Sequence, residues 1–227
     1  MNYNLAEIIC KIVSIPKSWF VSYRLTDLKT SFRLPVLVRY NTILVSLKGK
    51  IDFCDCPIRR GVFQFGFNQV GVLDKKYERP ILEINGRIIM RGVVVFGHGA
   101  RISVGKDGVL SLGKDFLNSA GVTLICNKRI SIGDHVLVSW DTMVMDTDLH
   151  STIDLLSGKV REKDGYIGIG DNVWICYGAT ILKNTTINNG IIVSAKSLVK
   201  GDYLIENSVI CGVPAKVVKE SVTVFRG

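Results

Sequence analysis

From Ile169 onward an aliphatic β-branched residue recurs at every sixth position: Ile169, Ile175, Ile181, Ile187, Val193 and Val199. A helix would place apolar residues three and four apart, and a simple strand two apart. A strict step of six fits neither alone. It fits a coil of short strands, each followed by a tight turn, with one side chain per strand pointing to a shared interior. A fixed short period restricts the fold more than any local propensity does, because each repeat can bury its apolar side only against the next.

The same step runs upstream. Ile132, Val138 and Val144 keep it, and so do Leu112, Asn118 and Leu124, with Asn118 as the polar flaw. Val104 to Leu112 and Leu124 to Ile132 are eight residues each, so those corners hold two extra residues. Small residues often follow the inward aliphatic, as at Gly105, Gly113, Gly133, Ser139, Gly170, Cys176 and Ser194, where a tight corner leaves little room. Three hexads close one triangular coil, and stacked coils pair strand to strand in parallel. A doubly wound sheet needs helical crossovers, and no helical segment separates these hexads.

The phase breaks once, over the 25 residues from Val144 to Ile169. This interval is polar and charged. It reads as a loop, residues 146–166, thrown out of the solenoid to form a functional wall. At the other end, Leu5, Ile8, Ile9, Ile12 and Val13 sit at helical spacing, with Pro16 limiting the helix. Two roles suit that helix. The favoured one is a cap on the open end of the solenoid. The other is a membrane-surface contact helped by Lys11, Lys17, Trp19 and Phe20. Strand-like stretches 36–40 and 43–47 lead into the coils. After Cys211 the chain leaves them, and Pro214 reads as the start of a closing helix over 215–222.

The chain has 227 residues and a net charge of +9. Residues 1–60 hold ten Lys/Arg against four Asp/Glu, so most of the excess lies there. A basic face attracts anionic lipid or a phosphorylated substrate. Nucleic acid is not expected, because no aromatic–basic RNA motif or helix-turn-helix pattern occurs. The six Cys include no CxxC and no zinc-finger spacing, so free thiols in a reducing cytoplasm and no metal are expected. No signal-peptide pattern and no apolar run of transmembrane length occurs. A cytoplasmic protein follows, at most peripheral at the inner membrane face.

The run Gly170-Asp-Asn-Val-Trp174, the hexads after it, and Gly212-Val-Pro-Ala-Lys216 resemble the hexapeptide-repeat acetyltransferases. The nearest branches are the maltose and galactoside acetyltransferases and the O-acetyltransferases of capsule and lipopolysaccharide synthesis. The resemblance covers about residues 100–220. It implies an all-β chain, a left-handed parallel β-helix over 46–211. The N-terminal helical and strand extension would be residues 1–45, and a tail with a short helix would be residues 212–227. It also implies a homotrimer, with acetyl-CoA as acyl donor and a sugar or glycan as acceptor.

Acyl transfer to an alcohol needs a base beside the hydroxyl. Of His98, His135 and His150, the last lies where the coil gives way to the loop, 24 residues before Trp174. The family's catalytic His occupies that place, so the resemblance makes His150 the general base, with direct attack and no acyl-enzyme. Asp148 or Asp146 would orient its ring. By match, Trp174, Tyr177, Ala195, Lys200 and Lys219 line the CoA groove, and Lys200, Lys216 and Lys219 suit its phosphates. Asn118 and Asn127 are candidates for binding sugar hydroxyls. The chain departs from the family pattern at Cys176, at Lys183–Thr186 and at Lys196, which touches the CoA contacts more than the activity.

Three other functions are weighed. A γ-type carbonic anhydrase needs three His on zinc, and His135 and His150 are fifteen residues apart, out of phase with a coil of eighteen or twenty. A sugar nucleotidyltransferase needs a dinucleotide-type domain for which there is no glycine-rich motif. A non-enzymatic solenoid that binds a partner or membrane would not need the break at His150.

Overall fold

The computed structural model describes residues 5–67, 70, 71 and 78–224. Within them the chain winds through three flat faces in turn. Face 1 is a nine-stranded sheet, and faces 2 and 3 are joined into one sheet of twelve. All neighbours within the coils pair in parallel. The joining is done by Thr180–Ile187 and Leu198–Tyr203, which run through a corner without leaving the ladder. This is the coil that the hexads imply, and the left-handed parallel β-helix that the resemblance implies.

The register stacks like on like. On face 3, Leu112, Ile132, Ile169 and Ile187 form one column. On face 2 the column is Leu124, Val144, Ile181 and Val199. On face 1 it is Val138, Ile175, Val193 and Ile210. All twelve side chains are buried. The early coils are filled differently, by Phe63, Phe65, Phe96 and Phe116, whose ring centroids lie 5.0–6.3 Å apart. The core therefore narrows from an aromatic end to a Val/Ile end.

Asn118 sits in the face 1 column between Phe96 and Val138. It is fully buried. Its Nδ2 donates to the carbonyls of Ala120 (3.1 Å), Val138 (3.2 Å) and Ser139 (3.4 Å), and its Oδ1 accepts from the Gly97 N–H at 3.3 Å. A buried amide must find such partners. Asn118 is therefore a strut between coils and not a surface group for a sugar, which corrects the expectation placed on it.

The corner between faces 1 and 2 turns on a stack of left-handed residues: Gly66, Gly99, Gly121, Asp141, Gly178 and Lys196. A β-carbon on Gly178 would meet only the flexible end of the Lys196 side chain, so the glycine there answers to its positive φ.

Helices α1 (Leu5–Val13), α2 (Ile15–Leu25) and α3 (Leu28–Ser31) precede the first coil. α2 closes the open end. Ser14, Ser18 and Ser22, one helical turn apart, face the free edge of Val36–Val38. Their hydroxyls accept from the N–H groups of Tyr40 (2.9 Å), Val38 (3.0 Å) and Val36 (3.3 Å). Ser18 and Ser22 also donate to the Val38 and Val36 carbonyls. Four helical residues rise about 6 Å and two strand residues about 6.6 Å, so the two ladders match in pitch. Val21 and Leu25 plug the core beside them. The expected capping role thus falls to α2. The apolar stripe of α1 faces solvent.

Two boundaries differ from expectation. The first coil already begins at Val36, ahead of residue 46. The closing segment is no helix: Ala215–Lys219 is a strand that turns back antiparallel on Val209–Gly212. The last parallel strand would otherwise present a bare edge, and a hairpin covers one at once. Val217 and Val218 also favour an extended chain over a helix.

Candidate active site

The three histidines lie at three different corners. His98 is fully buried at the end of its face 1 strand, with Nδ1 3.0 Å from the Arg39 guanidinium. His135 is a half-buried residue with positive φ between faces 3 and 1, its Nδ1 3.3 Å from Asp115. His150 lies in the extruded loop, which leaves from the corner between faces 2 and 3. This separation removes any shared three-histidine site.

The loop is a two-stranded tongue on a pinned base. Thr147 bridges Asp164, the Asp148 N–H donates to the Lys163 carbonyl (2.8 Å), and the Gly165 N–H donates to the Asp146 carbonyl (2.7 Å). Further out, Thr152–Ile153 pairs antiparallel with Val160–Arg161. Asp154 closes the tip, accepting from Leu156 and from the N–H and hydroxyl of Ser157. Those bonds hold its carboxyl below the usual range, the one with Ser157 foremost. The tip presents two bare leucines, Leu155 (90% exposed) and Leu156 (101%).

The two acids expected to orient His150 are both engaged elsewhere. Asp146 is buried, and its carboxylate accepts the N–H groups of Asn127 (2.7 Å), Lys128 (2.9 Å) and Arg129 (2.8 Å). It ties the start of the loop to the coil above. Asp148 is paired with Lys183 at 2.7 Å. Among the described residues the imidazole of His150 has no hydrogen-bond partner in the protomer, and it is exposed. Geometry therefore makes these acids holders of the loop and leaves the ring open to a substrate.

Lys183 is the residue that motif reasoning undervalued. It registered only as a departure from the family pattern. Its buried stem carries Nζ to the carbonyls of Glu162 (2.5 Å) and Lys163 (3.0 Å) as well as to Asp148. It thus clamps both sides of the tongue.

The residues expected to line a CoA groove fall into separate places. Trp174, Tyr177 and Ala195 gather around the corner between faces 1 and 2. Trp174 Nε1 donates to Ser139 Oγ (3.2 Å), the Tyr177 ring lies 5.4 Å from that of Trp140, and Lys196 Nζ stands 4.3 Å above the Tyr177 ring. Lys200 lies mid-strand in Leu198–Tyr203, where the chain passes from face 2 to face 3. Lys216 and Lys219 lie in the closing hairpin, beyond the last parallel strand of face 1. His150 and the Trp174 group are thus separated by the breadth of face 2, roughly 10 Å for a three-residue strand. Asn127 shares the corner of His150, directly above Asp146. Cys176, within the Trp174 group, has its thiol pushed up by burial, so it stays protonated and is a poor nucleophile.

A β-solenoid built of stacked hexads, with a pinned loop extruded between Val144 and Ile169, defines the class: a hexapeptide-repeat β-helix. Within that class the chain is similar to O-acetyltransferases. No family model matches it. It is 28% identical over 132 residues to WbbJ of Escherichia coli (strain K12), named provisionally for lipopolysaccharide biosynthesis O-acetyl transfer; the match covers 55% of this chain and 67% of WbbJ. It is 28% identical over 127 residues to the galactoside O-acetyltransferase of the same strain, covering 56% and 58%. It is 32% identical over 139 residues to an uncharacterized protein of the cps region of Klebsiella pneumoniae, covering 61% and 60%. The chain therefore spans from 58% to 67% of the length of these relatives. Among solved structures, the polysialic acid O-acetyltransferase OatWY aligns over 85% of this chain and 87% of its own, at 18% identity and a TM-score of 0.47. The relatives bear out the resemblance to hexapeptide-repeat acetyltransferases.

Proposed function

We propose that the chain is an O-acyltransferase that moves an acetyl group from acetyl-CoA to a hydroxyl of a sugar or surface glycan, with His150 as general base. One observation carries the reading: the loop extruded between Val144 and Ile169 holds an exposed histidine on a base tied down by Asp146 and Lys183. A base must be free to reach its proton and held near it; the exposed ring and the tied loop base support that role for His150. The names of WbbJ and the galactoside enzyme support the acceptor class.

In this mechanism a neutral imidazole nitrogen takes the proton of the acceptor hydroxyl. The oxygen attacks the thioester carbonyl, and the tetrahedral adduct collapses with loss of the CoA thiolate. The imidazolium returns the proton to that sulfur. An oxyanion donor must face the adduct. The Trp174, Tyr177 and Ala195 corner is the proposed track for CoA, with Lys200, Lys216 and Lys219 toward its phosphates. Asn127, beside the loop base, is the proposed contact for the sugar. Because His150 and that corner lie apart in one protomer, the site is completed by a neighbour in a homotrimer. The bare Leu155 and Leu156 are suited to meet that neighbour. Acyl-CoA donors and six free thiols both suit a cytoplasmic setting.

The test is CoA release from acetyl-CoA with a panel of sugars, for the native chain and His150→Ala, with mass by light scattering. The variant should lose about 10²–10⁴ in rate and remain trimeric. Unchanged turnover in His150→Ala, or a fully active monomer, would sink the mechanism. If CoA does not bind at all, a partner-binding solenoid becomes the better account.

A further inference from the structure

We infer that the N-terminal helices form a docking face for an anionic membrane surface. α1 has apolar residues at helical spacing; Ile9 and Val13 border a cavity with Arg39 and Tyr40, yet all five stay exposed. Leu5 is 70% exposed and Ile12 58%, and Ile8, Ile9 and Val13 are exposed with them. The core is already sealed by Val21 and Leu25 of α2 and by its three serines, so α1 has nothing left to cap. The apolar surface continues onto α2 and α3. Trp19 stacks on Tyr23 (centroids 5.8 Å, interplanar angle 7°) and lies 6.3 Å from Phe32, and all three remain exposed, as does Phe20. An amphipathic helix beside an aromatic cluster is the build of an element that lies in a bilayer interface.

Charge decides between a bilayer and a second copy of the chain. The rim carries exposed Lys29 and Arg33, with Arg59 and Arg60 brought alongside where the Gly61 N–H bonds the Leu34 carbonyl at 3.0 Å. The acids of the helices are already engaged: Glu7 with Lys11 at 3.0 Å, and Asp27 as the cap of α3, accepting from the Thr30 N–H. A symmetric contact through this face would set two basic rims against each other. An anionic lipid surface neutralises them. No helix among the described residues is long and apolar enough to cross a membrane, so the contact would be with the surface.

Membrane attachment and acyl transfer are independent properties, and one experiment reads both. Full-length protein is floated with vesicles of phosphatidylcholine alone and with added phosphatidylglycerol, at low and high salt. The comparison variants are Ile8→Asp/Ile12→Asp and Lys29→Glu/Arg33→Glu. All four positions are exposed, so melting temperature should hold. The native chain should float with the anionic vesicles and less so in high salt. The isoleucine pair should lower flotation at least about tenfold, and the basic pair should remove the dependence on phosphatidylglycerol. Turnover of a soluble acceptor should be unchanged. Absence of flotation by the native chain, or equal flotation by the isoleucine variant, overturns the inference. So does a fall in oligomeric mass of that variant without lipid binding, which would make the occupant a second copy.

Discussion

Asp146 is the site where the loop meets the solenoid, and replacing it by Asn tests that junction with almost no change in shape. The carboxylate accepts three backbone N–H groups, one at Oδ1 and two at Oδ2. An amide has one accepting oxygen. The best it can do is keep the Lys128 and Arg129 bonds and turn its NH₂ toward the Asn127 N–H. One charge-assisted bond is then lost and a donor faces a donor, at about 1.5–3 kcal/mol. The two surviving bonds weaken, because bonds to a charged acceptor are roughly twice as strong as neutral ones. Removing a buried charge offsets part of this. A net loss of about 3–5 kcal/mol follows. For a chain of 227 residues that lowers Tm by roughly 6–20 °C. Calorimetry checks it, and a fall under about 2 °C refutes the junction as described. A second readout separates this role from that of orienting His150. Asp146 has no contact with the ring, so the acid limb of the pH–rate profile should stay where it is in Asp146→Asn. A shifted limb would restore the orienting role.

Three further outcomes follow from the same contacts. Lys183→Met keeps the buried stem and deletes the clamp, so trypsin should cut faster at the exposed Lys159, Arg161 and Lys163; unchanged peptide release would show that the base holds itself. Ser18→Ala strips a buried partner from the Val38 N–H, which costs about 1–3 kcal/mol and should lower Tm by roughly 2–12 °C, and no shift would dismiss the serine ladder as a source of stability. The thiol of Cys126 is pushed up by burial and then by the charge of Asp146, and that of Cys176 by burial, from an ordinary value of 9.0. Their folded values lie above the unfolded ones, so their contribution is whole below pH 9 and is lost as the pH rises past it. The denaturant midpoint should therefore fall between pH 8 and 10, less steeply in Cys176→Ala, and equal slopes would remove that thiol from the account.

The solenoid was legible because its defining contact is one side chain per strand, and that contact leaves a period in the sequence. The columns of Ile and Val follow from it directly. The helix at Leu5–Val13 was legible for the same reason, but its destination was not. A period of 3.6 says that one face is apolar and says nothing about what covers it. α2, whose apolar pattern is weaker, became the cap because serines at Ser14, Ser18 and Ser22 match the rise of a strand edge. That match exists only once both elements are placed. The closing segment failed similarly. Pro214 followed by Ala and Lys reads as a helix start, but the bare edge of Val209–Gly212 calls for a strand.

The site divides along the same line. His150 drew attention because it stands where the run of hexads from Leu112 to Val199 loses its phase, and that lapse is itself a sequence signal. Its surroundings could not be found so, because a residue inside the break has no phase from which to read a direction. Asp146 and Asp148 precede His150 closely enough to look like its partners. Yet Asp146 turns back to the coil residues 127–129, and Asp148 turns to Lys183, 35 residues further on. Asn118 shows the converse: its polar side chain marked a flaw in the period, and the carbonyls that satisfy it come largely from the next coil, at Val138 and Ser139. In a solenoid each polar group is one coil away from its nearest partners in space, some eighteen or twenty residues away in the chain. A polar residue near the break is therefore first a candidate for tying coils together. It becomes a candidate for chemistry when, like His150, it is left exposed and without a partner in its own protomer.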